Sequence, residues 1–332
     1  MSERPLGDVK VLDLTRLLPG GFCSLLLADF GAEVVKVEDT GMGDYVRWAP
    51  PYYGSDAEQA LGTRSALYLA LNRGKRSIRI DLKSEGGRDA FLRLAPHYDV
   101  VLESFRPGVV ERLGIGPADL PAPVVYCSFT GFGPDDLRAG HDLNYQGWAG
   151  LLADTAPAMP PVQVADLAGG ALPAVAQILA ALLERERTGV GRHLVLSLTH
   201  GAHELAAQRL GGEPIPRLLT GGLACYRIYA TADGRHLTVA ALEPRFFRRL
   251  CELLGRPELA ERQWEPEQEP LADELGAAIA AQPLAAWLEL FDGEDVGVGP
   301  VATLEEAAAQ LGGSPSAAGS ANRSGSRSAT SG

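Results

Sequence analysis

The chain has 332 residues, enough for two domains, and its 46% apolar and 22% charged residues are the balance of a soluble globular protein. A formal net charge of −12 argues against nucleic acid or an anionic membrane as the main partner. Four scattered cysteines (Cys23, Cys127, Cys225, Cys251) form no CxxC pair and read as reduced thiols of a cytoplasmic protein. Residues Met1 to Pro5 lack the apolar core of a signal peptide, and the longest apolar run, 171–183, is interrupted and too short to span a bilayer.

Residues 9–14 read as a strand, Pro19-Gly20-Gly21 opens a helix that Gly31 ends, and residues 34–38 read as a second strand, which makes a βαβ unit. A polar loop of more than thirty residues follows. Strands are then expected at 77–82, 99–104 and 124–129, with an amphipathic helix over 84–95 and a short helix opened by Pro107. Alternation of this kind predicts an open parallel α/β sheet with ligands beyond the carboxyl ends of its strands. A helix over 171–185 and a strand over 192–198 complete a large α/β domain, 1–221. A hairpin around Asp233-Gly234 and helices near 244–254, 270–281 and 284–291 give a smaller α+β domain, 222–305. Residues 306–332 are expected to be a low-complexity tail without a core.

Two segments carry chemistry. Gly140-His141-Asp142-Leu143-Asn144-Tyr145 offers an imidazole, and 25 residues later Val164-Ala165-Asp166 followed by Gly169-Gly170 offers a carboxylate. Such a pair of bases can remove a proton from one face of a carbon and return it to the other. Each residue alone reads as a helix cap. Charge is also uneven: eight basic residues stand against three acidic ones between Arg64 and Arg93, either a solvated face or a site for a polyanion. The remaining histidines show no metal-ligand pattern, and Pro19-Gly20-Gly21-Phe22 is no dinucleotide fingerprint.

Residues 11–16 with 27–38, Asn72-Arg73-Gly74-Lys75-Arg76-Ser77 and Glu103-Ser104-Phe105-Arg106-Pro107-Gly108, taken in order, resemble the family III CoA-transferases (CaiB/BaiF) from about residue 6 to 305. The Gly140-to-Tyr145 segment resembles the α-methylacyl-CoA racemase branch of that family. The resemblance implies a Rossmann-like large domain, a small domain and an interlocked homodimer. It implies an isomerase of lipid metabolism acting on acyl-CoA, with no prosthetic group and with coenzyme A as part of the substrate. His141 and Asp166 would act on opposite faces of C2, Glu243 would orient the imidazole and Tyr145 the carboxylate. Amides at the helix start after Asp166 would hold the enolate oxygen, and Gly169-Gly170 would let a ligand approach. Arg106 beside Gly108, then Lys75 and Arg76, then Lys36 and Arg73, would bind CoA, and Leu17, Leu18 and Pro19 would line its channel.

Two departures stand out. Racemases usually carry Asn where this chain has Val162, and the segment that usually returns to the large domain after Val298-Gly299-Pro300-Val301 is replaced by the Ser/Gly/Arg-rich tail. One rival reading is a CoA-transferase, in which Asp166 attacks the thioester and forms a mixed anhydride. The other is an inactive, truncated CoA-binding paralogue.

Overall fold

The computed structural model describes residues 4–55, 65–212 and 217–311. The chain divides into two compact units, Met1–Ala207 and Gln208–Gly332, so the expected boundary at 221/222 falls inside the second.

In the first unit, six parallel strands run β1 (Lys10–Asp13), β2 (Glu33–Glu38), β3 (Arg76–Arg79), β4 (Val100–Glu103), β5 (Val125–Thr130) and β6 (His193–Ser197), in the spatial order β3-β2-β1-β4-β5-β6. Helices cover both faces, which is why the inner strands are apolar without alternation; β5 is buried at every position. One face packs Val11, Val34, Val100 and Val125 against α1 (Leu18–Asp29) and the long helix that ends at Thr188. The other packs Leu12, Val35, Val101 and Tyr126 against Phe91 of α3 (Glu85–Leu94) and Val110 of α4 (Val109–Leu113). Serine 84 caps α3 by accepting from the Gly87 amide at 3.1 Å.

The long loop expected after β2 is not structureless. It holds a 3₁₀ turn at Tyr45–Trp48 and helix α2 (Ala66–Leu71), whose apolar run, Ala-Leu-Tyr-Leu-Ala-Leu, lacks a helical period. The expected helix over 171–185 also extends further. A π-helical turn, Ala165–Ala171, runs straight into α6 (Leu172–Thr188), with α5 (Asp142–Trp148) before it and α7 (Leu198–Glu204) after β6. Residues 165–188 are thus long and apolar enough to cross a membrane by length and composition, but Ala174, Ile178 and Ala181 sit in the core beside the sheet.

In the second unit, β7 (Tyr226–Ala230) and β8 (His236–Ala240) form the expected hairpin, and β9 (Val298–Pro300) adds a third antiparallel strand that was not foreseen. Helices α8 (Pro244–Leu253), α9 (Gln268–Ile279) and α10 (Leu284–Leu290) bury Phe247, Leu250, Leu275 and Trp287 against it. The stretch expected to be tail from residue 306 begins inside a helix, α11 (Leu304–Gln310), because Thr303 accepts from the Glu306 amide and the Glu306 carboxylate accepts from the Thr303 amide. The rest of that stretch, 312–332, lies outside the described residues.

Candidate active site

Asp166 stands in the first turn of the π-helical segment, a geometry that often marks functional sites. What the two glycines after it admit is protein rather than ligand. A Cβ on Gly169 would sit 2.6 Å from the Ala202 amide of α7, one on Gly201 would sit 1.8 Å from the Gly169 carbonyl, and one on Gly170 would meet Leu198 at 2.3 Å. The glycines therefore set how closely α7 packs on the Asp166 turn, which corrects the expectation of ligand approach.

His141 is the N-cap residue of α5, with an extended backbone. Its amide donates to Asn144 Oδ1 at 3.1 Å, while its carbonyl accepts from the Asn144 and Tyr145 amides. The exposed imidazole makes no hydrogen bond within this unit, among the described residues. The next residue, Asp142, is buried. Its Oδ1 accepts from the Asp166 amide at 2.9 Å and its Oδ2 from Gln146 Nε2 at 2.5 Å. One hydrogen bond thus joins the histidine-bearing helix to the catalytic candidate. Sequence reading passed Asp142 over because an acidic residue in a first helical turn has an ordinary role with the helix dipole.

Neither Asp142 nor Asp166 forms an ion pair among the described residues. Burial, with the nearby Asp142 charge adding to it, pushes the Asp166 carboxyl up to about 7. Tyr145 sits beside the pair, and its hydroxyl is raised by burial and by the charges of Asp166 and Asp142. The expected hydrogen bond from Tyr145 to the Asp166 carboxylate is not formed, since the hydroxyl donates to the Gly140 carbonyl at 2.5 Å. Its ring also explains the glycine before the histidine: a Cβ on Gly140 would lie 2.8 Å from Tyr145 Cε1. The amides expected to hold an enolate oxygen are engaged, that of Asp166 by Asp142 and that of Leu167 by the Gln163 carbonyl at 3.0 Å.

The expected CoA contacts separate into two groups. Lys36 and Lys75 are fully buried, contrary to a phosphate role. Lys36 donates to the Thr15 carbonyl at 2.9 Å and pairs with Asp44 at 2.9 Å and Asp13 at 3.7 Å. Lys75 donates to the Gly21 carbonyl, Ser24 Oγ and Asn72 Oδ1, and lies 3.6 Å from Asp13. Arg73 pairs with Asp29 at 2.6 Å and Arg76 with Glu33, both at the surface. Arg106 is exposed, its guanidinium without a polar partner among the described residues, two residues before Gly108, whose φ of +79° opens α4.

Arg106 follows β4, and Arg16 follows β1. These strands are neighbours at the point where the winding of the sheet reverses, which is where open α/β sheets hold ligands. The Arg16 amide donates to Ser104 Oγ at 3.1 Å and ties the two loops together. Leu17 is the one non-glycine residue with positive φ (63°) among the described residues, and its amide donates to Asp44 Oδ1 at 3.1 Å. Leu17 and Leu18 pack on Val46, Tyr68 and Leu71, and Pro19 is buried in the first turn of α1.

Glu243 lies in the second unit as the exposed N-cap residue of α8, its carbonyl accepting from the Phe246 and Phe247 amides. Val162, at the place where racemases carry Asn, is half exposed. Glu103 is a second buried carboxyl raised to about 7 by burial, but the Phe105 amide, at 2.7 Å, and Ser128 both donate to it. No group of three metal-ligating side chains occurs among the described residues.

The family model for CoA-transferase family III matches residues 6–313. An alpha-methylacyl-CoA racemase of Mus musculus is 35% identical over 327 residues, covering 91% of this chain and 79% of the relative. A succinyl-CoA:glutarate CoA-transferase of Mus musculus is 34% identical over 331 residues, covering 92% and 74%. Among solved structures, a hypothetical protein from Mycobacterium tuberculosis superposes with a TM-score of 0.78 at 31% identity, covering 95% of this chain and 88% of that one. A CAIB/BAIF family protein from Brucella suis does so with a TM-score of 0.75 at 31% identity, covering 92% and 86%. The chain belongs to the family III CoA-transferases, enzymes that act on CoA thioesters.

Proposed function

We propose that the protein racemises 2-methylacyl-CoA thioesters at C2 by 1,1-proton transfer. The reading rests on one observation: the Asp142–Asp166 hydrogen bond brings the helix headed by His141 onto a buried carboxyl raised to about 7. One base takes the α-proton, and the C–H electron pair moves into the thioester carbonyl to give an enolate. The conjugate acid of the other base then protonates C2 on the opposite face. A carboxyl that titrates near neutrality populates both the base and the acid form there, as each direction requires. Tyr145 acts by holding the Gly140 carbonyl beside His141.

For the CoA part, Arg106 is the leading phosphate contact, supported by its exposure and its place at the switch point, with Gly108 allowing the turn beside it. Arg73 and Arg76 are secondary, because Asp29 and Glu33 already occupy their forks. A homodimer is part of the proposal, supported by the exposed apolar side chains of Leu143 and Trp148 on the helix that His141 opens, and of Met159 and Leu172. The four buried free thiols support a cytoplasmic setting.

The racemase reading predicts that (2R)- or (2S)-methylacyl-CoA incubated in D₂O gains deuterium at C2 and epimerises, and that His141→Ala and Asp166→Ala stop epimerisation. Epimerisation at wild-type rates in both variants would refute it. The transferase reading draws support from the similarity to succinyl-CoA:glutarate CoA-transferase. Its sign is an acyl-enzyme at Asp166 that hydroxylamine traps, with no C2 deuteration.

A further inference from the structure

Residues 131–140 connect β5 to His141 without regular secondary structure. A connection of that length holds a terminal residue in place only if its own side chains are anchored. The anchor is Arg138. Its guanidinium carbon lies 4.2 Å from the ring centre of Phe132 and 4.4 Å from that of Trp148, so the cation is clasped between two aromatic faces. Both carboxylate oxygens of Asp136 accept from it, Oδ1 from Nε at 3.1 Å and Oδ2 from Nη2 at 2.7 Å, and Oδ1 also accepts from the Arg138 amide at 2.9 Å. This fixes the plane of the guanidinium.

The clasp leads back to the histidine from both sides. Phe132 stands edge-on to Tyr145 with ring centres 5.2 Å apart, and Tyr145 donates to the carbonyl of Gly140. Trp148 closes the same helix, α5, that His141 opens. Beginning and end of α5 are therefore bound to one loop through one arginine. We propose that Arg138 is a positioning residue for His141: it sets the backbone from which the imidazole reaches the α-carbon. A planar, five-donor group is needed for this, since an ammonium can lie over one ring but cannot stack between two while forking onto Asp136.

The inference rests on the reading of His141 as one of two bases, and the experiment separates the two claims. Initial deuterium wash-in from D₂O is measured separately for (2R)- and (2S)-methylacyl-CoA. His141→Ala should abolish wash-in from one enantiomer and spare the other; equal wild-type rates from both would refute the two-base reading itself. Arg138→Met should slow wash-in from that same enantiomer by on the order of 10–100-fold. It should leave the other enantiomer, the KM for the thioester and the melting temperature nearly unchanged, and Arg138→Lys should restore only part of the rate. Trp148→Leu, which removes one face of the clasp while leaving Arg138 in place, should give a smaller loss with the same enantiomer bias. Equal slowing of both enantiomers by Arg138→Met or Trp148→Leu, or no slowing by either, would overturn the proposal.

Discussion

Two clusters of buried carboxylates in the first unit have opposite electrostatics. Under the β1 turn, Asp13 is completely enclosed, yet Lys36 and Lys75, with hydrogen bonds from Ser24 and Thr15, overcome the effect of burial and hold its carboxyl below the usual range. Its neighbour Glu38 is brought down to about 2 against burial by hydrogen bonds from Arg47, Ser77 and the Asp44 amide, with the Arg47 charge adding to them. Around Asp166 there is burial and a second carboxylate, but no ion pair among the described residues, and the carboxyl rises to about 7. Residue type does not distinguish the clusters; the presence of a counter-charge does. The first supports the turn that carries Leu17 and Arg16, through Lys36 on the Thr15 carbonyl and Asp44 on the Leu17 amide. The second is the one to which the proposed function gives the proton exchange.

Exchanging the roles of the clusters tests the contrast. Asp166→Asn should lower α-proton exchange by about 10²–10⁴-fold, the usual scale for a lost general acid–base group, without unfolding the protein. Because the folded-state pKa of Asp166 is raised, the folded protein holds a proton there that the unfolded chain has released. This group's stabilising contribution is present below the unfolded value of 3.8 and is lost as pH rises to about 7. Thermal melts of Asp166→Asn at pH 8 should therefore be at least as stable as wild type. Asp13→Asn breaks a paired buried charge, for which about 3–5 kcal/mol, or roughly 6–20 °C in Tm, is expected in calorimetry.

Smaller changes sharpen the same contrast. Arg106→Ala should raise the KM for the thioester about 10-fold, as for one charge-assisted hydrogen bond, and leave kcat nearly unchanged in steady-state assays. Tyr145→Phe removes one hydrogen bond, to Gly140, and should reduce kcat by only a few-fold, since such a bond contributes about 1 kcal/mol net.

The inner strands of the large sheet were legible because burial on both faces leaves apolar runs, and the hairpin because Asp233-Gly234 sits between alternating segments. Strand β9 was not, since three residues hold too little pattern. The π-helical turn left no local signal, and its tight packing on Gly201, 32 residues after Gly169, belongs to the fold and not to the segment. The cations show the limit of reading charge from sequence. Lys75 belongs to a basic stretch that suggests an anion site, and the family resemblance adds Lys36 to the expected CoA contacts, but the fold turns both inward onto Asp13, and no local pattern announces that. Asp142 shows the reverse: an ordinary helix-start carboxylate acquires its part only when the chain returns Asp166 to it.

The sharpest test is a carbon-13 NMR titration of the Asp166 carboxyl in the intact protein, assigned by its loss in Asp166→Asn. The uncompensated carboxylate pair predicts a midpoint near pH 7 in wild type, moving to lower pH in Asp142→Asn as the neighbouring charge is removed. A midpoint near 4, or one that Asp142→Asn leaves in place, would contradict it.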